Sequence, residues 1–129
     1  RRPMLREGVL AFRDQRLELF FVTLDKSSGF HERIAYHDYA ISPRLFHWQS
    51  QNSAGPDTSS GKRYVESLSN GWRFQLFVRT DKNAAYRACG PVRITGPDDI
   101  TGDRPMNITW HLDVPLPTQL FREFSVLRS

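Results

Sequence analysis

The sequence predicts a mostly β domain, a β-barrel or strongly bent sheet with two short helices. Three observations carry this. Apolar and polar residues alternate in several separate short segments. Eight glycines and eight prolines punctuate the chain between them. Helix signals are confined to two brief stretches, so helices can only decorate the sheet.

Residues 8–12 (GVLAF) and 17–24 (LELFFVTL) are strand-like and flank a polar RDQR turn, the pattern of a hairpin. Ser42 before Pro43 reads as a cap, predicting a short helix over 43–46. Residues 72–79 (WRFQLFVR) alternate, with Phe74, Leu76 and Val78 on one face. Residues 84–89 and 91–95 read as two short strands split at Gly90-Pro91. Met106, Ile108, Trp110 and Leu112 alternate with Asn107, Thr109 and His111, as in a strand with one wet face. A second helix is expected over 118–125. Between the hairpin and residue 71 lies a long stretch read as irregular, and a loop region of that size in a small domain usually carries function. Interleaved strands with little helix fit a barrel of the PUA or SRA type by analogy.

At 129 residues the chain is expected to be one domain with one core, and its opening Arg1-Arg2-Pro3 suggests a fragment of something longer. No apolar run is long enough to span a bilayer and no signal-peptide pattern opens the chain, so no membrane partner is expected. Cys89 is the single cysteine, which rules out an internal disulfide and favours the cytoplasm. The net charge of +4 is compatible with a polyanionic partner, but the arginines are dispersed and only folding can gather them on one face.

The segment 46–64, FHWQSQNSAGPDTSSGKRY, invites three chemical readings. A nucleotide-hydrolysing loop needs four residues between its glycines and Ser or Thr after the lysine. Here Gly55 and Gly61 are separated by five residues, and Arg63 follows Lys62. A metal-dependent nuclease of the PD-(D/E)-x-K type needs a carboxylate two residues before a lysine, and no Asp or Glu has one. Pro56-Asp57 and Pro97-Asp98 then read as turns. His31, His37, His47 and His111 lack metal-ligand spacing, and Cys89 beside Gly90-Pro91 reads as a small core residue. The expectation is a binding domain, not an enzyme, with no cofactor and no metal.

Binding has a positive signature. Tyr36, His37, Asp38, Tyr39, Phe46, His47, Trp48, Gln49, Gln51 and Asn52 crowd rings and amides into one short region. Aromatic faces hold planar bases by stacking, worth about 1–3 kcal/mol per base. Amides and carboxylates read the hydrogen-bonding edge of an extruded base. Against this stands an ordinary alternative, in which Tyr39, Phe46 and Trp48 fill the core and the amides satisfy loop backbone.

Several segments, in order, carry a resemblance: REGV at 6–9, LFFVTLDKS at 19–27, YHDYAISPRLFHWQSQNS at 36–53, GKRY at 61–64, LFVR at 76–79, YRACGP at 86–91 and RPMNITWHLDVPLP at 104–117. The chain resembles the C-terminal domain of unknown function, number 3427, of bacterial proteins that join a phospholipase-D-type nuclease to a superfamily-2 helicase. Some proteins of that architecture, similar to SauUSI, are type IV restriction enzymes that cut DNA carrying methylated or hydroxymethylated cytosine. The resemblance implies a target-recognition domain that binds double-stranded DNA and reads a modified cytosine by base flipping. It also implies helicase and nuclease domains of a parent chain as partners, without which this domain neither translocates nor cuts.

Combining residues and resemblance, Trp48 or Tyr39 is expected to stack on the base. An extended segment puts Gln49 and Gln51 on one side and Trp48 on the other. Either Trp48 is core and Tyr36 or Tyr39 supplies the ring, or the reverse holds with His47 supporting the amides. Asp38, Gln49 and Gln51 are the expected edge readers, because cytosine N4 offers a donor. Arg44, Lys62, Arg63 and Arg104 are the expected phosphate contacts. The alternative function is a regulatory module coupling motor to nuclease, with the same aromatics as an interface hot spot.

Overall fold

A computed structural model describes residues 8–24, 38–51 and 54–125. The order is β1 (Val9–Phe12), β2 (Leu17–Thr23), β3 (Tyr39–Ser42), β4 (Leu45–Gln49), α1 (Ser59–Val65), β5 (Arg73–Arg79), β6 (Arg87–Arg93), β7 (Ile100–Thr101), β8 (Asn107–Leu112) and α2 (Thr118–Phe124). All strands join one mixed sheet in the order β1-β2-β5-β6-β8-β4-β3, with β7 also paired to β8. The domain is mostly β with two short helices, as the alternation predicts. The sheet bends without closing into a barrel, and β1 and β3 remain its two edges.

The β1–β2 hairpin forms as expected, turning through a 3-10 turn at Arg13–Gln15 with Arg16 left-handed at φ 51. Its second strand pairs in parallel with β5 over seven residues, from Leu17 opposite Arg73 to Thr23 opposite Arg79. Every other pairing is antiparallel. Alternation then sends Phe20, Val22, Phe46, Trp48, Phe74, Leu76, Val78, Ile108, Trp110 and Leu112 to one buried face. Tyr64 from α1 and Leu120 and Phe124 from α2 cover that face.

Three expectations need correction. Residues 43–46 are not helical: Pro43 and Arg44 form the turn of a β3–β4 hairpin, and Ser42 Oγ accepts from the Arg44 N–H at 3.2 Å. The Ser-Pro pair opens a turn as readily as a helix. The strand outcome buries both Phe46 and Trp48 against β8, opposite Trp110 and Ile108. Gly90-Pro91 does not split two strands either. β6 runs through it with a bulge, where the register shifts opposite Leu76 and Phe77 and Gly90 takes φ +87. Nor is 25–71 wholly irregular, since it contributes β3, β4 and α1.

The candidate base-recognition face

Directly opposed residues in an antiparallel pair point to the same side, so register alone places the predicted residues. On the face of β3–β4–β8 turned away from the core, Tyr39 lies opposite His47 and His47 opposite Thr109. The next row holds Thr101, Asn107 and Gln49, and the row on the other side holds Leu45, His111 and Arg93. Tyr39, His47, Gln49, Asn107, Thr109 and His111 are all half-buried, so each combines a fixed position with access to solvent.

Tyr39 and His47 stack with centroids 5.0 Å apart and planes 18° from parallel. One side-chain repeat along β4, about 7 Å away, Gln49 Nε2 donates to Asn107 Oδ1 at 3.1 Å. The Gln49 backbone N–H donates to Asp38 Oδ1 at 2.9 Å, so Asp38 anchors the end of β4. Behind this row Ser50 is buried. Its hydroxyl accepts from Met106 N at 2.9 Å, and its own N–H donates to the Met106 carbonyl. That double tie fixes β4 to the start of β8.

In the Arg93 row, Asp99 Oδ2 lies 3.0 Å from His111 Nε2 and accepts from Thr95 N at 2.8 Å and Thr95 Oγ1 at 3.0 Å. Burial alone would raise this carboxyl's pKa, but the Thr95 and His111 contacts outweigh it and hold it below the ordinary value. Arg93 pairs with Asp113 at 3.0 Å, both exposed.

The structure gathers Tyr39, His47 and Gln49 on one face, with Asp38 behind Gln49 and Gln51 half-buried just beyond. Trp48 is turned to the core, 6% exposed, with its ring 4.6 Å from Phe20. Tyr36 lies outside the described residues. Of the proposed phosphate contacts, Arg44 and Lys62 are exposed without an ion pair among the described residues. Arg104 pairs with Asp57 at 2.9 Å on the surface. Arg63 is committed elsewhere: its guanidinium meets buried Glu18 at 2.9 Å and lies 4.3 Å over the Trp72 ring. Adjacent residues of one helix thus face opposite environments.

Sequence reasoning passed over Asn107 and Thr109. Their signal was the polar half of the 106–112 alternation, read only as a wet face. A second surface was also missed. On the outer side of β2 and β5, Phe21 and Phe77 stack at 4.9 Å, Tyr86 packs edge-on at 5.3 Å, and Arg79 lies 4.3 Å over Tyr86. Among the described residues no group of three His, Cys, Asp or Glu side chains gathers as a metal site. No described helix is long and apolar enough to cross a membrane. Burial pushes the Cys89 thiol up to about 11, leaving almost no thiolate near neutrality.

No curated protein matches the chain. The family profile described as a domain of unknown function (DUF3427) matches residues 2–124, and the chain belongs to that family.

Proposed function

We propose that this domain binds double-stranded DNA and reads a modified cytosine, 5-methyl or 5-hydroxymethyl, extruded from the duplex. It would act in the cytoplasm as the target-recognition part of a helicase–nuclease restriction enzyme and supply no catalysis of its own. One observation carries the reading: Tyr39, His47, Gln49, Asn107 and Thr109 share one half-buried face, with rings beside amides. Rings stack on a base and amides read its edge, and extrusion costs a few kcal/mol that such contacts offset. Arg44, Lys62 and Arg104, all exposed, are the proposed phosphate contacts. A single methyl group contributes about 1–3 kcal/mol, so preference for the modified base should be roughly tenfold to a hundredfold.

The test is titration of the purified domain against matched duplexes carrying cytosine, 5-methylcytosine or 5-hydroxymethylcytosine. Micromolar or tighter binding at low salt, with a modified duplex preferred, supports the reading. Equal affinity for all three removes the modification from it.

A second reading has its own observation, the Phe21–Phe77–Tyr86 cluster on the outer face of the other half-sheet. That surface suits contact with a motor or nuclease domain of the parent chain. Salt separates the two readings, because phosphate binding weakens steeply as salt rises and an apolar interface does not.

A further inference from the structure

Gln49 and Asn107 carry more hydrogen-bonding capacity than their mutual contact uses. With Gln49 Nε2 donating to Asn107 Oδ1, Gln49 Oε1 and Asn107 Nδ2 make no hydrogen bond among the described residues. Gln49 Nε2 also keeps its second N–H. Across the pair, an outside molecule therefore meets an acceptor (Gln49 Oε1), a donor (Gln49 Nε2) and a donor (Asn107 Nδ2).

The surroundings hold this array in place. Asp38 binds the Gln49 backbone, and Ser50 ties the following residue to Met106, one position before Asn107. On the far side Gly102 sits at φ +82. A Cβ there would lie 3.0 Å from Asn107 Nδ2 and 2.9 Å from the Pro105 carbonyl. A side chain at 102 would press on the amide as well as strain the backbone.

We propose that Gln49 and Asn107 together form the base-edge reader and that their array selects cytosine; this rests on the DNA reading above. Cytosine presents a donor at N4 and acceptors at N3 and O2, the complement of acceptor, donor, donor. Thymine presents acceptor, donor, acceptor, and guanine acceptor, donor, donor, so each sets like against like at the pair. Adenine offers a donor at N6 and an acceptor at N1 but no oxygen for Asn107 Nδ2. A 5-methyl group lies off the edge being read, so the pair selects the base and leaves the modification to other contacts.

The experiment measures binding of the whole domain to hairpin duplexes carrying one unpaired C, 5-methyl-C, T, G or A. Wild type, Gln49→Ala, Asn107→Ala and Asn107→Asp are compared, with Arg104→Ala as a control and each variant checked for wild-type thermal unfolding. Asn107→Asp keeps an acceptor for Gln49 and exchanges the outward donor for a charged acceptor, so its preference among probes, not its overall affinity, is the readout. The expected result is a wild-type preference for C and 5-methyl-C over T and G of about tenfold or more. That preference is lost in Gln49→Ala and in both Asn107 variants, while Arg104→Ala weakens every probe alike and keeps it. Wild type that binds all probes equally, or prefers G, overturns the proposal, as does preference for C surviving in all three site variants. A preference for 5-methyl-C over C that persists in those variants leaves the modified-cytosine reading standing and removes the pair from it. Absence of binding to every probe at low salt defeats both.

Discussion

Arg63 of α1 donates from Nη1 to Oε1 of Glu18 on β2 at 2.9 Å, with side chains only 9% and 2% exposed. The Tyr64 hydroxyl donates to the other carboxylate oxygen at 3.1 Å, so consecutive helix residues grip one buried acid. Burial raises the Glu18 pKa against the opposing pull of Arg63, Tyr64 and Arg13. Burial, reinforced by the Glu18 charge, likewise drives the Tyr64 pKa well above its ordinary value. The contacts join α1 to β2 of the sheet.

Removing one partner of a buried pair strands the other charge, which costs about 3–5 kcal/mol. Arg63→Ala should therefore destabilise strongly, while exposed Lys62→Ala should stay within about 0.5 kcal/mol of wild type. Urea unfolding of the two single variants checks this. Equal, small losses would show that the Glu18–Arg63 contact contributes little. A DNA-binding test of the helix must use Lys62→Ala alone, because Arg63→Ala perturbs folding.

Gly61 gives the opposite of what helix propensity suggests. Alanine in a helix interior is ordinarily better than glycine by about 1 kcal/mol. Here a Cβ on Gly61 would overlap the Gly55 carbonyl, because the loop folds back through Thr58. Thr58 Oγ1 donates to the Gly55 carbonyl at 2.8 Å and accepts from Gly61 N at 3.0 Å. Gly61→Ala should lose about 1–3 kcal/mol, as overpacking does. A rise in melting temperature would show that the Gly55 loop moves aside freely.

Asp99 makes a prediction about acid. Its folded pKa lies below the ordinary 3.8, so folding favours its charged form. Its contribution is fully present above that ordinary value and is lost as pH falls through the lower folded value. Asp99→Asn should accordingly be less stable than wild type at pH 6, with the gap closing below about pH 4. A gap that is constant from pH 6 to pH 2.5 would mean the carboxylate charge is not what Thr95 and His111 stabilise.

What the sequence made legible was period-two alternation. It located β5 and β8 and the side each residue faces, because one face of each of those strands is buried, while β1 and β2 were legible as strand-like runs flanking a polar turn. Alternation also runs through residues 45–49, but Ser42-Pro43 admitted two local readings, and only pairing with β8 decided between them. The bulge at Gly90 was illegible for the same reason, since glycine before proline usually ends a strand. At the site, Tyr39, His47 and Gln49 were readable as chemistry. Asn107 was not, because its role depends on a cross-strand partner 58 residues away in sequence. Nor did the sequence separate Lys62 from Arg63. A buried acid on β2 made that distinction.

Trp48 and Tyr39 are both sequence candidates for the stacking ring, and the fold gives them different predicted behaviour. Trp48 packs among Phe20, Tyr64 and Trp110, at centroid distances of 4.6, 5.5 and 6.2 Å. Truncating such a ring removes core volume that the neighbours cannot fill, so Trp48→Ala should lose about 3–5 kcal/mol. Tyr39 sits on edge strand β3, half-buried, with one ring face against His47. Tyr39→Ala removes no core contact and should leave a cooperatively folded domain. If the ring stacks on an extruded base, that variant should lose about 1–3 kcal/mol of DNA affinity. Trp48→Phe, which keeps an aromatic ring in the core, should bind as wild type does. Calorimetric unfolding and DNA titration of the three variants decide the matter. A folded Tyr39→Ala domain with undiminished affinity would take Tyr39 out of base stacking, and a selective loss of affinity in folded Trp48→Phe would assign Trp48 a part in binding.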